Sequence, residues 1–200
     1  MPTTGNIQPK TVMSILKLKK PEDVELHWAV TEDSVTYHAR NMFVERALNG
    51  GYDYIFMLDS DMVLTEDALI RLLAHDKDIV SALAFKRRFP YEPACLATAQ
   101  IENNTPVFKN LIDWIPDELL EIEATGFACS LFKTSVFEKM GDINWFLPTL
   151  EFSEDYSFCI RAREAGFKLY VDTSLVAGHI GTQVVYEEHY RQALKYIKKE

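Results

Sequence analysis

Apolar residues in this chain gather in short runs separated by segments of helical period, and their order outlines a β-α-β-α-β front half. VELHWAV (24–30), YIFML (54–58) and DIVSALAF (78–85) read as strands. Ile55, Phe56, Met57 and Leu58 are continuous apolar residues, the pattern of a strand covered on both faces. Residues 36–49 form a helical segment stopped by Gly50 and Gly51. A second helix follows Thr65 and Asp67, with Ala68, Leu69 and Leu72 as its apolar stripe, and a short helix over 11–19 ends at Pro21. This alternation predicts a mostly parallel central sheet with right-handed crossovers, flanked by helices.

The pattern changes after Phe85. Prolines, Asn-rich turns and short alternating runs over 86–110 suit hairpins or irregular loops. Two short strands then flank Gly126 and lead into a helix, and SEDYSFCIRAREAG (153–166) is a helix stopped by Gly166. FKLYVD and SLVAGH read as two further strands, and EEHYRQALKYIKK as a terminal amphipathic helix. No internal repeat is present. The expectation is one α/β domain over 1–200: a half of nucleotide-binding topology at about 24–85, a mixed α/β half at about 86–180, and a terminal helix at 186–200.

Composition narrows the possible functions. The formal charge of −9 argues against a nucleic-acid coat, which needs dense Lys and Arg. Cys95, Cys129 and Cys159 are odd in number, with neither CxxC pairing nor zinc-like spacing, so they read as buried thiols in a reducing compartment. The apolar runs are too short and too charged for a transmembrane segment, and MPTTGNIQPK lacks a signal peptide's apolar core. A cytoplasmic location is expected.

The candidate chemistry sits at element ends. Asp59 and Asp61 follow a buried strand and precede a helix, where open α/β sheets bind ligands. DSD alone equally suits a solvated turn. Glu154 and Asp155 open a helix, where acids are also ordinary caps, but the aromatic-rich segment before them, including Trp145, makes Asp155 a candidate base toward a hydroxyl. His179 lies at a strand end in VAGHIG, and its imidazole together with carboxylates suits Mn²⁺ or Mg²⁺.

Taken in order, YIFMLDSDM, ATGFACSLFKTSVFEKMG, SEDYSFCIRAREAG and VAGHIG resemble the GT-A glycosyltransferases, especially family 2-like members, over roughly 24–180. The resemblance implies transfer of a sugar from a nucleoside-diphosphate sugar to an acceptor hydroxyl, divalent-metal dependent and inverting. It implies that Asp59 meets the ribose and the metal, that Asp61 is a direct metal ligand, and that His179 completes the metal site. Arg40 and Asn41 resemble the pair near the base and diphosphate, and Asp33 the acid that meets the nucleobase. Thr125 and Gly126 resemble the close-approach segment on the acceptor side, with Trp145 and Glu154 nearby, and Asp155 resembles the catalytic base. Two other readings are a catalytically silent sugar- or protein-binding domain of this fold and a nucleotidyltransferase, whose Gly-rich phosphate loop is missing. The family's usual first strand is absent, because MPTTGNIQPK looks like the loop that follows it. An uncovered sheet edge and self-association are therefore expected.

Overall fold

The computed structural model describes residues 1–3, 5–32, 35–102, 105–141, 144–181 and 184–197. Helix α1 (Pro9–Leu16) and α2 (Thr36–Gly50) precede β1 (Tyr54–Leu58) and the two-residue β2 (Met62–Val63). Then come α3 (Ala68–Ala74), β3 (Ile79–Ala84), β4 (Cys95–Glu102), β5 (Thr105–Asn110), β6 (Leu119–Ile122), β7 (Ala124–Thr125) and β8 (Cys129–Lys133). Helices α4 (Thr134–Met140) and α5 (Glu154–Glu164), β9 (Leu169–Ile180), β10 (Val184–Val185) and α6 (Glu187–Ile197) complete the chain. Helix α2 stops where Gly51 takes a left-handed φ of 69° and donates its N–H to the carbonyl of Ala47, a turn that disfavours any side chain.

The main sheet runs β1-β8-β3-β9-β10, with β2 and β6 also paired to β9, while β5-β4-β7 forms a small second sheet. The expected mostly parallel sheet is not found. Among the described strands only β3 and β9 pair in parallel, and β8 lies between β1 and β3, antiparallel to both. The physical reason is that a continuous apolar run reports cover on both faces and carries no direction. The first four residues of β8 are as buried as all of β3.

Two further expectations differ in detail. FKLYVD and SLVAGH are one strand, β9, whose pairing with β3 shifts register between Asp172 and Val176. VELHWAV forms no strand. Its alternation sends Leu26 toward the core but leaves Trp28 and Val30 exposed, too little apolar surface for an interior position. Across a cleft of about 850 Å³ it faces the second edge of β1, which no described strand covers.

Packing follows the two faces of the sheet. One face carries α2, α4 and α5 over a phenylalanine cluster of Phe127, Phe132, Phe137, Phe146 and Phe158, with Phe146 and Phe158 stacked at 4.7 Å. The other carries α1 and α3, with Leu69 and Leu72 of α3 packed among Leu58, Met62, Val80 and Leu131. All three cysteines are free and buried, and burial pushes the Cys95 and Cys129 thiols up to about 12. No described helix is long and apolar enough to cross a membrane.

The bulge in β9 is fastened to α3 by a buried acid. Asp172 accepts hydrogen bonds from His75 Nε2 (2.9 Å), Arg71 Nη2 (3.2 Å) and the backbone N–H of Ser174 (2.9 Å). Burial alone would raise its pKa, but the bonds from Ser174 and His75 and the charge of Arg71 bring it below the ordinary carboxylate value. A depressed acid stabilises the fold above its unfolded pKa and loses that contribution as pH falls through the folded one. Asp172→Asn is expected to lower unfolding free energy in urea by roughly 2–4 kcal/mol at pH 7. The gap to the parent protein should close on acidification below pH 3.8, the unperturbed value. A gap that persists unchanged through that acid range would show that Asp172 contributes shape and not charge.

Candidate functional site

Strand β1 delivers Asp59 and Asp61 to a turn that three backbone bonds hold in place. Asp59 N–H donates to Ala128 O (3.1 Å), Met62 N–H to Asp59 O (3.3 Å), and Gln8 N–H to Ser60 O (3.0 Å). Next, β2 pairs antiparallel with β9, placing Met62 opposite His179, and Ile180 N–H donates to the Asp61 carbonyl (2.8 Å). This pairing brings His179 Nε2 within 3.5 Å of Asp61 Oδ2. The other ring nitrogen, Nδ1, lies 2.8 Å from the carbonyl oxygen of Phe85. A carbonyl only accepts, so Nδ1 keeps its proton and Nε2 is the nitrogen free to bind a metal or take a proton. Arg87, in the turn after β3, donates from Nη1 to the same Asp61 Oδ2 at 2.9 Å. Burial works to raise the pKa of Asp61, but His179, by hydrogen bond and charge, and Arg87 by charge bring it below the usual range.

Beneath this turn lies Arg40, on the second turn of α2 and only 2% exposed. Its Nη2 donates to Asp59 Oδ1 (3.1 Å) and its Nη1 to Glu154 Oε1 (3.0 Å), while the guanidinium carbon lies 5.4 Å from the centre of the Phe127 ring. Burial opposes the charge on Arg40, but Asp59, Asp155 and Glu154 outweigh it and strengthen proton binding. The same environment acts in reverse on the acids. Burial, followed by repulsion from other carboxylates, holds Asp59 and Glu154 above their ordinary values despite Arg40.

Asp155 stands in the first turn of α5, where an acid is favoured by the helix dipole. Its Oδ1 accepts from the Ser153 hydroxyl and from the Tyr156 N–H (2.8 Å). Its Oδ2 lies against Gly126, where an added Cβ would sit 3.3 Å from the oxygen. Gly126 N–H donates to Ala94 O (2.8 Å), and Thr125 is buried beside it, with its hydroxyl 3.2 Å from the Gly126 carbonyl. The 124–126 segment thus forms the floor beside Asp155.

The other expected residues have different placements. Asn41 is buried and accepts the Phe146 N–H on Oδ1 (3.2 Å), tying α2 to the segment before α5. Trp145 is 5% exposed, with its indole N–H donating to Phe137 O (3.3 Å). Asp33 lies outside the described residues. Sequence reasoning missed Arg87, Phe127 and the Phe85 carbonyl. For Arg87 the available signal was the KRR run directly after a buried strand.

A divalent cation can be tested against these donors. Among the described residues no group of three His, Cys, Asp or Glu side chains surrounds a common point, because Asp59 is turned to Arg40. Asp61 and His179 fit as two ligands: a carboxylate oxygen and an imidazole nitrogen face each other, with the imidazole oriented from behind. Remaining positions would fall to Asp59 after rotation, to water, or to ligand oxygens. Away from these groups, at the far end of α5, Glu121, Glu123, Arg163 and Lys168 line a separate cleft of about 740 Å³.

No protein-family model matches the sequence, and no curated protein matches it either. Solved structures do. A197 from STIV superposes with a TM-score of 0.63 at 18% identity, over 90% of this chain and 83% of that one. GalNAc-T7, solved with UDP, GalNAc and Mn²⁺, gives a TM-score of 0.53 at 14% identity, over 83% of this chain and 36% of that one. At such identities the likeness is one of fold, and it does not reach to family 2 in particular. The chain has a GT-A-like fold.

Proposed function

We propose that this protein is a divalent-metal-dependent, family 2-like glycosyltransferase that moves a sugar from a nucleoside-diphosphate sugar to an acceptor hydroxyl with inversion. The observation that carries the reading is the convergence of three separate segments. The buried Arg40 joins Asp59 to Glu154 at the head of α5, and His179 meets Asp61 on the same turn, on a GT-A-like fold. GalNAc-T7, which shares that fold, was solved with UDP, GalNAc and Mn²⁺.

In this reading Asp61 and His179 hold Mn²⁺ or Mg²⁺, which supplies neutralising charge to the departing diphosphate when bound. Asp59 faces the donor and is kept oriented by Arg40, whose own burial limits it to acting through that carboxylate. Asn41, also buried, supports the segment leading to α5. Asp155 takes the proton of the acceptor hydroxyl as its oxygen attacks the anomeric carbon. The bond from that carbon to the diphosphate oxygen breaks, and the configuration inverts. Thr125 and Gly126 let the acceptor approach Asp155 closely, since a side chain at 126 would crowd its carboxylate. A screen of nucleotide sugars with Mn²⁺, reading thermal stabilisation and diphosphate release together, tests the reading and identifies the donor. Stabilisation without release would favour a silent binding domain.

Two substitutions separate binding from chemistry. Asp61→Asn removes a charge and a ligand from a partly exposed position, so it should nearly abolish Mn²⁺-dependent donor binding in calorimetry while the protein still melts cooperatively. Equal affinity in both proteins would remove Asp61 from the metal site. Asp155→Asn should keep donor affinity and slow transfer by roughly 10²-fold or more. Normal turnover at saturation, or a product that keeps the donor's anomeric configuration, would deny Asp155 the role of base in an inverting reaction.

A further inference from the structure

Asp61 Oδ2 is met by two side chains, and only one of them has a fixed position. His179 is held by β9 and by the Phe85 carbonyl. Arg87 lies in the turn joining β3 to β4, closed by Lys86 N–H to Glu92 O (2.8 Å) and Tyr91 N–H to Arg88 O (2.7 Å). Its side chain is about half exposed, and its partner among the described residues is Asp61. A long, solvated side chain on a closed turn can re-aim by rotamer changes alone.

The charges make such a move necessary. A divalent cation bound through Asp61 Oδ2 would compete for the oxygen that Arg87 Nη1 contacts at 2.9 Å, and it would repel the guanidinium. A diphosphate carried by that cation offers oxygens in the paired arrangement a guanidinium matches best. We propose that Arg87 stands in for the divalent cation at Asp61 when none is bound, and then passes from Asp61 to the diphosphate as donor and cation arrive. This rests on the glycosyltransferase reading and adds a leaving-group ligand to it. Arg87 thereby opposes binding of the cation alone and favours binding of cation and diphosphate together, which makes loading of the site cooperative.

Calorimetry on Arg87→Ala tests this with two readouts of opposite sign. The probes are Mn²⁺ alone, and then UDP, GDP and dTDP at saturating Mn²⁺, taking the tightest of the three. Mn²⁺ alone should bind about threefold tighter or more, because a partly exposed competing ion pair is gone. The nucleoside diphosphate should bind about tenfold more weakly, the scale of a lost charge-assisted contact. Arg88→Ala, the exposed neighbouring cation, should change both by less than about twofold, which excludes a general field effect. Unchanged or weaker Mn²⁺ binding in Arg87→Ala overturns the stand-in role, and unchanged diphosphate binding overturns the transfer. An unmodified protein that binds no nucleoside diphosphate with Mn²⁺ overturns the glycosyltransferase reading, and this proposal with it.

Discussion

Arg40 is buried on α2 with its terminal nitrogens committed to carboxylates from opposite halves of the chain, Asp59 at the end of β1 and Glu154 at the head of α5. A guanidinium in such a place is tolerable only while those acids stay ionised around it, and the acids are tolerable only while it stays. Removing one partner from a buried set of this kind typically costs about 3–5 kcal/mol, because an uncompensated charge remains. The consequence is geometric as much as energetic. Asp59 and Asp155 belong to elements nearly a hundred residues apart, yet one planar cation sets the position of the first and the helix start that carries the second. Phe127 lies under the guanidinium and belongs to the same aromatic cluster that packs α5 on the sheet, so core and site share a wall.

The proposed function requires an acidic protein to receive a phosphorylated ligand. A formal charge of −9 gives no general attraction for phosphate. The cations that matter are individually placed: Arg40 buried below the acids, and Arg87, half exposed, beside Asp61. Four carboxylates, Asp59, Asp61, Glu154 and Asp155, stand around these groups, so the site is on balance acidic before anything binds, which suits a cation.

Asp59, Asp61, Asp155 and His179 stand out in the sequence as candidates because each sits where an element begins or ends, and such positions are local properties. Residues whose roles depend on a distant partner do not. Arg40 and Asn41 are singled out only by the resemblance, as a pair near the base and diphosphate, and only the folded chain brings Asp59 and Glu154 to Arg40. Asn41 has no local feature that announces its bond to the Phe146 backbone, and Arg87 meets Asp61 only because its turn folds back over β2. The elements themselves were mostly legible, including α2, β1, β3, α5 and α6. Strand direction was not, since burial of Ile79–Ala84 and of Cys129–Phe132 is the same whichever way a strand runs.

The position of β8 has a consequence for the order in which the molecule can assemble. Tyr54–Leu58 and Ile79–Ala84 emerge early from the ribosome, but they do not touch as strands, because both pair with Cys129–Lys133. The centre of the main sheet must therefore wait for a segment about seventy-five residues downstream of β1, a long loop to close before its own ladders form. Until then two apolar strands, rich in Ile, Leu and Val, have unpaired edges in a growing chain. The Asp59–Asp61 turn, bonded to Ala128 at the entrance to β8, takes its shape only when that late strand arrives. Nascent chains halted before residue 129 thus lack both the main sheet and the site.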